Sequence, residues 1–443
     1  MARKSASTAR MQIVLVPGFA GFDALGQLQY YADVTPIFRE WVARAADGAH
    51  PVLHYFDNLP TAGVATRAAR LRDWLAKRIA RGELQRGDEV ALVGHSTGGL
   101  DIRQLVRELA RRPDEKIPVD GAKGAAYTVR ARDVLEKVSR IVFLSVPQWG
   151  TNLADWLRGH EAARRTLVAD LLGAVATKDL PLAERLETWA TRNVASWTQS
   201  QLFLAVRDAL AEMNTSRAGD PKRVAAAQEA RSEVELWLRH IWSDFSAIDD
   251  LAYAPHGEGT TPARFDAKAR ALEKKAWKKH GIATRSYATV GSRPFHFEHG
   301  VPAPAWKLLN PLTWAEPDGS AGAAPDTDLV YRMSYRACAG GPFVIPGGGA
   351  TATARRFESG EQQEIEVWDN DGVVNTASML WPDGPDTRLV EGDHGDIIGH
   401  FRLVDAVQPA GRQFHTYDLL GSGSGFGEEM FKAVWRDVFE FCG

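Results

Sequence analysis

Between residues 11 and 144 short β-branched runs alternate with longer stretches of helical periodicity, and few folds accommodate that alternation. Segments 13–16, 52–56, 90–93 and 141–144 read as strands. Segments 31–44, 66–79 and 100–109 between them read as helices, the second with an apolar stripe at Leu71, Trp74, Leu75 and Ile79. Strands so uniformly apolar are buried on both faces, which implies an α/β chain: a mostly parallel sheet with helices on both sides.

The pattern then breaks. From about 152 to 282 the strand signal disappears, and apolar-periodic stretches at 162–176, 182–197, 202–213 and 224–242 read as helices. Trp156, Trp189, Trp197, Trp237 and Trp242 fall here, and periodic aromatics usually pack inward. Strand character returns at 286–290 and 364–368, with Gly- and Pro-rich loops between. "GSGSGFG" at 421–427 reads as a flexible connection into a last helix, 428–441. The organisation expected is a core of 1–151 and 283–443, carrying a helical cap insertion at 152–282.

Charge narrows the partners. The formal net charge of −3 argues against a nucleic-acid partner, and Lys274, Lys275, Lys278 and Lys279 read as the solvated face of a helix. No run approaches a membrane span, and the apolar stretch after the basic start is too short for a signal peptide, so the expected location is cytoplasmic. Cys338 and Cys442 read as two free buried thiols.

The stretch "VALVGHSTGGLDIRQLV", 90–106, carries the chemistry. Gly94-His95-Ser96-Thr97-Gly98 fits G-x-S-x-G, with an apolar strand before it and a helix after it, as the motif requires. A serine projecting from so tight a turn takes strained backbone angles, and side chains two residues away would collide; glycine at 94 and 98 removes both collisions. The helix that follows aims its N-terminal amides at the site. A serine alone is a weak nucleophile, so the chain must also supply a base, a carboxylate to orient it, and donors for an oxyanion. The amide of Thr97 is one donor. The loop Pro17-Gly18-Phe19-Ala20-Gly21, which follows the first strand, leaves the Phe19 amide as the other.

Triad order in this setting is Ser, then Asp or Glu, then His. His160, His240, His256 and His280 fall in or beside the insertion, and His296 and His299 come too early. His415 reads as a strand residue and His400 as a core histidine. His394, in the acidic Gly-flanked loop "EGDHGDIIG", is the base candidate. For the acid, Asp371 sits in a turn just after a strand, Asp369 is its nearest rival, and Glu298 stands where a minimal version of the fold would place it.

The ordered blocks "LVPGFAG", "GHSTGGLDIRQL", "SVPQWGTNLADW", "NDGVVNTASM" and "DHGDIIG" resemble those of the true bacterial lipases, especially the thermophilic Bacillus-type triacylglycerol lipases. The match covers the strands and catalytic loops, roughly half of the chain by position. It implies an α/β-hydrolase fold, a serine carboxylic-ester hydrolase acting on an ester or lipid through an acyl-enzyme, and the triad Ser96, Asp371 and His394. Phe19 and Thr97 would form the oxyanion hole. The resemblance requires no cofactor for the chemistry. Many members of that family hold a structural calcium beside the base through an acidic residue two positions after the histidine. Asp396 stands at that place, but the sequence shows no further ligands, so no metal is expected, and the family's zinc histidines have no counterpart. Pro17 stands where the family usually has histidine, and Pro147-Gln148-Trp149-Gly150 replaces its Pro-His segment. Two other readings use the same residues: acyl transfer to an alcohol or amine, and a non-catalytic binding protein on the hydrolase scaffold.

Overall fold

A computed structural model describes residues 10–21, 24–25, 28–44, 51–120, 126–159, 243–253, 267–294, 327–403 and 416–443, with scattered positions between 201 and 241. The helices expected at 162–176 and 182–197 lie outside the described residues, as do most of those at 202–213 and 224–242. Trp189, Trp197, Trp242, Glu298, His296, His299 and His415 lie outside them too.

One eight-stranded sheet organises the chain. Its strands are β1 (Met11–Val16), β2 (Val52–Tyr55), β3 (Glu89–His95), β4 (Val138–Leu144), β5 (Ala283–Val290), β6 (Thr351–Arg356), β7 (Gln362–Glu366) and β8 (Arg388–Glu391). They lie in the order β7-β6-β8-β5-β4-β3-β1-β2, and every pair is parallel except β6 with β7.

Alternation along the strands sends side chains to two separate cores. Val14, Val16, Val90, Leu92, Ile141 and Phe143 pack with α2 (Val64–Ala80), α3 (Thr97–Arg111) and α4 (Ala267–His280). Ile13, Leu15, Ala91, Val93, Val142 and Leu144 pack on the opposite face with α1 (Val34–Arg44) and the last helix, Glu428–Cys442. Helices therefore cover both faces, and the fold is an α/β-hydrolase fold. On α4, the helix that leads into β5, Trp277 is buried while Lys274, Lys275, Lys278 and Lys279 face solvent.

Parallel pairing places the ends of several strands at one edge. Val16 is opposite Gly94, His95 opposite Leu144, and Glu391 opposite Val290. The loops that follow β1, β3 and β8 carry Phe19, Ser96 and His394, so three distant stretches of chain converge there.

The interval between β5 and β7 corrects the sequence expectation of loops. It contains α5 (Leu329–Ala339) and β6. The helix is held by Tyr331, Tyr335 and Cys338, all buried on one stripe, and by Asp328, whose carboxylate accepts the Val330 amide at its start. Arginines interrupt that stripe in sequence and hide its period. An antiparallel hairpin, Lys116–Asp120 with Ala126–Arg130, also went unseen because Pro118 lies in its first strand. Cys338 and Cys442 are free and buried, as expected.

Candidate active site

Ser96 sits between β3 and α3 with φ 53° and ψ −129°, a conformation L-residues rarely adopt. The turn is as crowded as the motif implies. A Cβ on Gly98 would lie 2.3 Å from the Val16 carbonyl oxygen, and one on Gly94 would lie 2.6 Å from the Gly99 nitrogen. Any larger side chain at either place would force β1, β3 and α3 apart.

The β1 loop abuts the serine: a Cβ built on Gly18 would stand 2.6 Å from Ser96 Cβ. This loop is fixed from behind. Arg67, on α2 and fully buried, donates to the carbonyls of Pro17 at 2.6 Å, Gly18 at 3.1 Å and Pro60 at 3.4 Å, and also to that of Leu59. Its Nε bonds Asp101 Oδ2 at 2.9 Å, which Asn58 also reaches at 3.1 Å. Burial pushes the Asp101 carboxyl up to about 7, against the pull of Arg67. With the Pro17 and Gly18 carbonyls drawn toward the guanidinium, the amides of the loop are turned elsewhere. Among the described residues, neither the Phe19 nor the Thr97 amide donates to a protein acceptor.

His394 and Asp371 are in direct contact, Nδ1 to Oδ2 at 2.7 Å. The carboxylate can only accept, so Nδ1 carries the proton and the neutral ring keeps its lone pair on Nε2. Asp371 is fully buried and satisfied. The Thr289 hydroxyl donates to Oδ2 at 2.6 Å, and the Val373 and Val374 amides donate to Oδ1 at 2.9 and 2.7 Å. The His394 amide also bonds the Asp371 carbonyl at 3.0 Å, which ties the two loops together. Ser96 is joined to this pair through its neighbour: the His95 and His394 rings lie 4.5 Å apart, and His95 Nε2 is 3.0 Å from the His394 carbonyl oxygen.

Of the two rivals for the acid, Asp369 is turned away. It takes a two-pronged ion pair from Arg293 at 2.9 and 3.0 Å. Glu298 lies outside the described residues. His400 is a core histidine, bonded to the Gln29 and Tyr30 carbonyls and pushed down to about 4 by burial.

Three buried carboxylates, Asp393, Asp396 and Asp418, bring an oxygen each within 4.8 Å of one another, the one such group among the described residues. Burial, and then Asp418, push Asp393 up to about 8. Burial and Asp393 hold Asp396 well above the carboxylate range. The Asp393 Oδ2 atom is buried with no hydrogen-bond partner. An uncompensated set of acids is costly to bury, and a divalent cation is the group that relieves it, so these residues fit one. Only Asp396 was singled out by the sequence. Asp393, Asp418 and the Ser424 hydroxyl, 3.0 Å from Asp396 Oδ2, were not. The "GSGSGFG" segment is thus engaged with the loop that carries His394 and is not a loose connection.

No family model and no curated protein matches the chain. Among solved structures it is similar to EstA from Clostridium botulinum, at 16% identity and TM-score 0.43 over 96% of this chain and 87% of that one. Lipase 1 from Pelosinus fermentans aligns at 16% identity and TM-score 0.40 over 97% of each chain. The metagenomic carboxyl esterase MGS0156 aligns at 14% and 0.36, over 98% of this chain and 77% of that one.

Proposed function

We propose that the protein is a serine hydrolase of carboxylic esters, lipid esters included, working through an acyl-enzyme. The observation that carries this reading is the Asp371–His394 pair at 2.7 Å, whose imidazole packs 4.5 Å from the ring of His95, the neighbour in sequence of a serine strained onto a strand-to-helix turn. In this reading Ser96 Oγ attacks the ester carbonyl carbon as its proton passes to His394 Nε2. The carbonyl oxygen becomes an oxyanion between the Phe19 and Thr97 amides. Collapse breaks the bond to the alkoxy group, which leaves as the alcohol with the proton from His394. Water then repeats the cycle on the acyl-serine and frees the acid.

The proposal extends to the carboxylate cluster. Asp393, Asp396 and Asp418 would hold a calcium ion, whose part is to neutralise and stiffen the loop that carries His394. Among the described residues no helix is long and apolar enough to cross a membrane.

The test is labelling with a fluorescent organophosphonate, alongside hydrolysis of p-nitrophenyl esters of increasing acyl length. Labelling that disappears in Ser96→Ala, together with loss of turnover by about 10⁴–10⁶-fold, is expected. Folded protein that takes no label would instead be a binding protein on this scaffold. Faster acyl release on adding an alcohol, with ester and not acid as product, would make it a transferase.

A further inference from the structure

The residue between the motif's first glycine and its serine has a partner that the proposed mechanism does not use. His95 is fully buried, and Tyr30 Oη lies 2.7 Å from its Nδ1. The same hydroxyl lies 2.8 Å from the Gly18 nitrogen. On the other side of the ring, Nε2 faces the His394 carbonyl at 3.0 Å. The chain of contacts therefore runs from the loop after β1, through the strand before the serine, to the loop of the base.

Every proton in it can be placed. A carbonyl oxygen only accepts, so His95 Nε2 carries a hydrogen. Burial, and then the nearby His394, hold the His95 ring well below the usual histidine range, so it is neutral and Nδ1 keeps its lone pair. Burial holds the Tyr30 phenol above its ordinary range, so it stays protonated. The phenol therefore donates to Nδ1 and accepts the Gly18 N–H. That N–H is spent on Tyr30 and is not aimed at a substrate. Arg67 holds the Pro17 and Gly18 carbonyls on the other side. The peptide before Gly18 is thus pinned through both its N–H and its C=O, the peptide after it through its C=O alone, and the N–H of that second peptide, which belongs to Phe19, is the first one free.

We propose that Tyr30 is a positioning residue for the oxyanion hole: its hydroxyl, oriented by His95, takes the Gly18 amide and so leaves the Phe19 amide to face the carbonyl at Ser96. This rests on the ester-hydrolase reading above. It adds that the motif's histidine sets the direction of the Tyr30 hydroxyl and couples the oxyanion loop to the base loop.

Tyr30→Phe removes one oxygen and preserves the ring. With a p-nitrophenyl ester, kcat should fall by about ten-fold or more while KM stays within about two-fold, because the lost alignment matters only once the oxyanion exists. Binding of a trifluoromethyl ketone, which forms a hemiketal oxyanion with the serine, should weaken by a similar factor. Binding of the carboxylic acid product should not change, and this separates the role from a structural one. The pair His95→Leu and His95→Asn provides a second route. Leucine leaves the phenol unoriented and should reproduce the Tyr30→Phe loss, whereas the Asn Oδ1 can accept from the phenol and should recover most of it. Unchanged kcat and hemiketal affinity in Tyr30→Phe, or losses shared equally by hemiketal and product, would overturn the inference. Equal behaviour of His95→Leu and His95→Asn would do the same. Wild-type protein that hydrolyses no ester and takes no label at Ser96 removes the ester-hydrolase reading and this inference with it. Active wild type with an indifferent Tyr30→Phe removes only this one.

Discussion

His394 Nδ1 meets Asp371 Oδ2 at 2.7 Å, and three further donors hold the same carboxylate in place. Orientation is the point of such an arrangement. Asp371→Asn would present an amide that can donate to Nδ1, favouring the tautomer with its proton on Nε2 and no lone pair for Ser96. Turnover should fall by about 10⁴-fold with the fold retained. Asp369→Asn, which disturbs the Arg293 pair and not the imidazole, should leave turnover within a few-fold. A reversal of these two results in parallel kcat measurements would move the acid to Asp369.

Arg67 stands at a second junction, with Asp101 at one end of its guanidinium and four carbonyls at the other. Arg67→Met would strand a buried acid and release the β1 loop. Breaking one side of a buried pair typically costs about 3–5 kcal/mol. Asp101→Asn should cost less, because an amide oxygen can still accept from Arg67 Nε. Urea unfolding of both variants checks the order, and equal stabilities would show that the pair does not brace the loop.

Residues from the chain between β4 and β5 reach the same loop. Trp237 Nε1 donates to the Ala20 carbonyl at 3.0 Å, and the Phe19 and Phe245 rings meet edge-on at 5.3 Å. Ala20 itself has φ 57°, a conformation that needs outside support. Trp237→Phe should cost about 0.5–1.5 kcal/mol for the lost hydrogen bond and lower kcat several-fold. A change in stability without a change in kcat would confine Trp237 to packing.

The core strands and the serine turn were legible because their signals are local. An apolar run before G-x-S-x-G names both the strand end and the serine at the turn, and alternation assigns Val14 and Leu15 to opposite faces. Asp371 and His394 were reachable only as candidates, since nothing in the spacing of 371 and 394 states that they touch. What escaped was made by distant partners. Thr289 serves Asp371 from the end of β5, and Asp418 meets Asp393 from a separate stretch of the chain. Tyr30, twelve residues past Gly18, finds it only once His95 is in place. The α5 helix was missed for a different reason: its buried tyrosines are interleaved with arginines whose charges mask the period.

The acidic cluster makes its own pH prediction. Asp393, Asp396 and Asp418 all have carboxyls raised by burial, with Asp371 and Asp328 adding to the negative field around them. A carboxyl raised in the folded state binds its proton there after the unfolded chain has lost it, so stability is full below the unfolded value near 4 and is lost as pH rises. Without metal, the melting temperature should therefore decline from about pH 4 towards pH 8, the value that burial gives Asp393. Calcium reverses the sign of the field the carboxylates feel and should flatten that decline. Asp396→Asn should raise the melting temperature of the chelated protein at pH 8, because one buried charge is gone, and should blunt the response to calcium. Thermal unfolding from pH 4 to 8, with EDTA or with calcium, reads all three effects. Curves that superimpose with and without calcium would remove the metal. An Asp396→Asn variant less stable than the chelated parent at pH 8 would show that these carboxylates are held by hydrogen bonds alone.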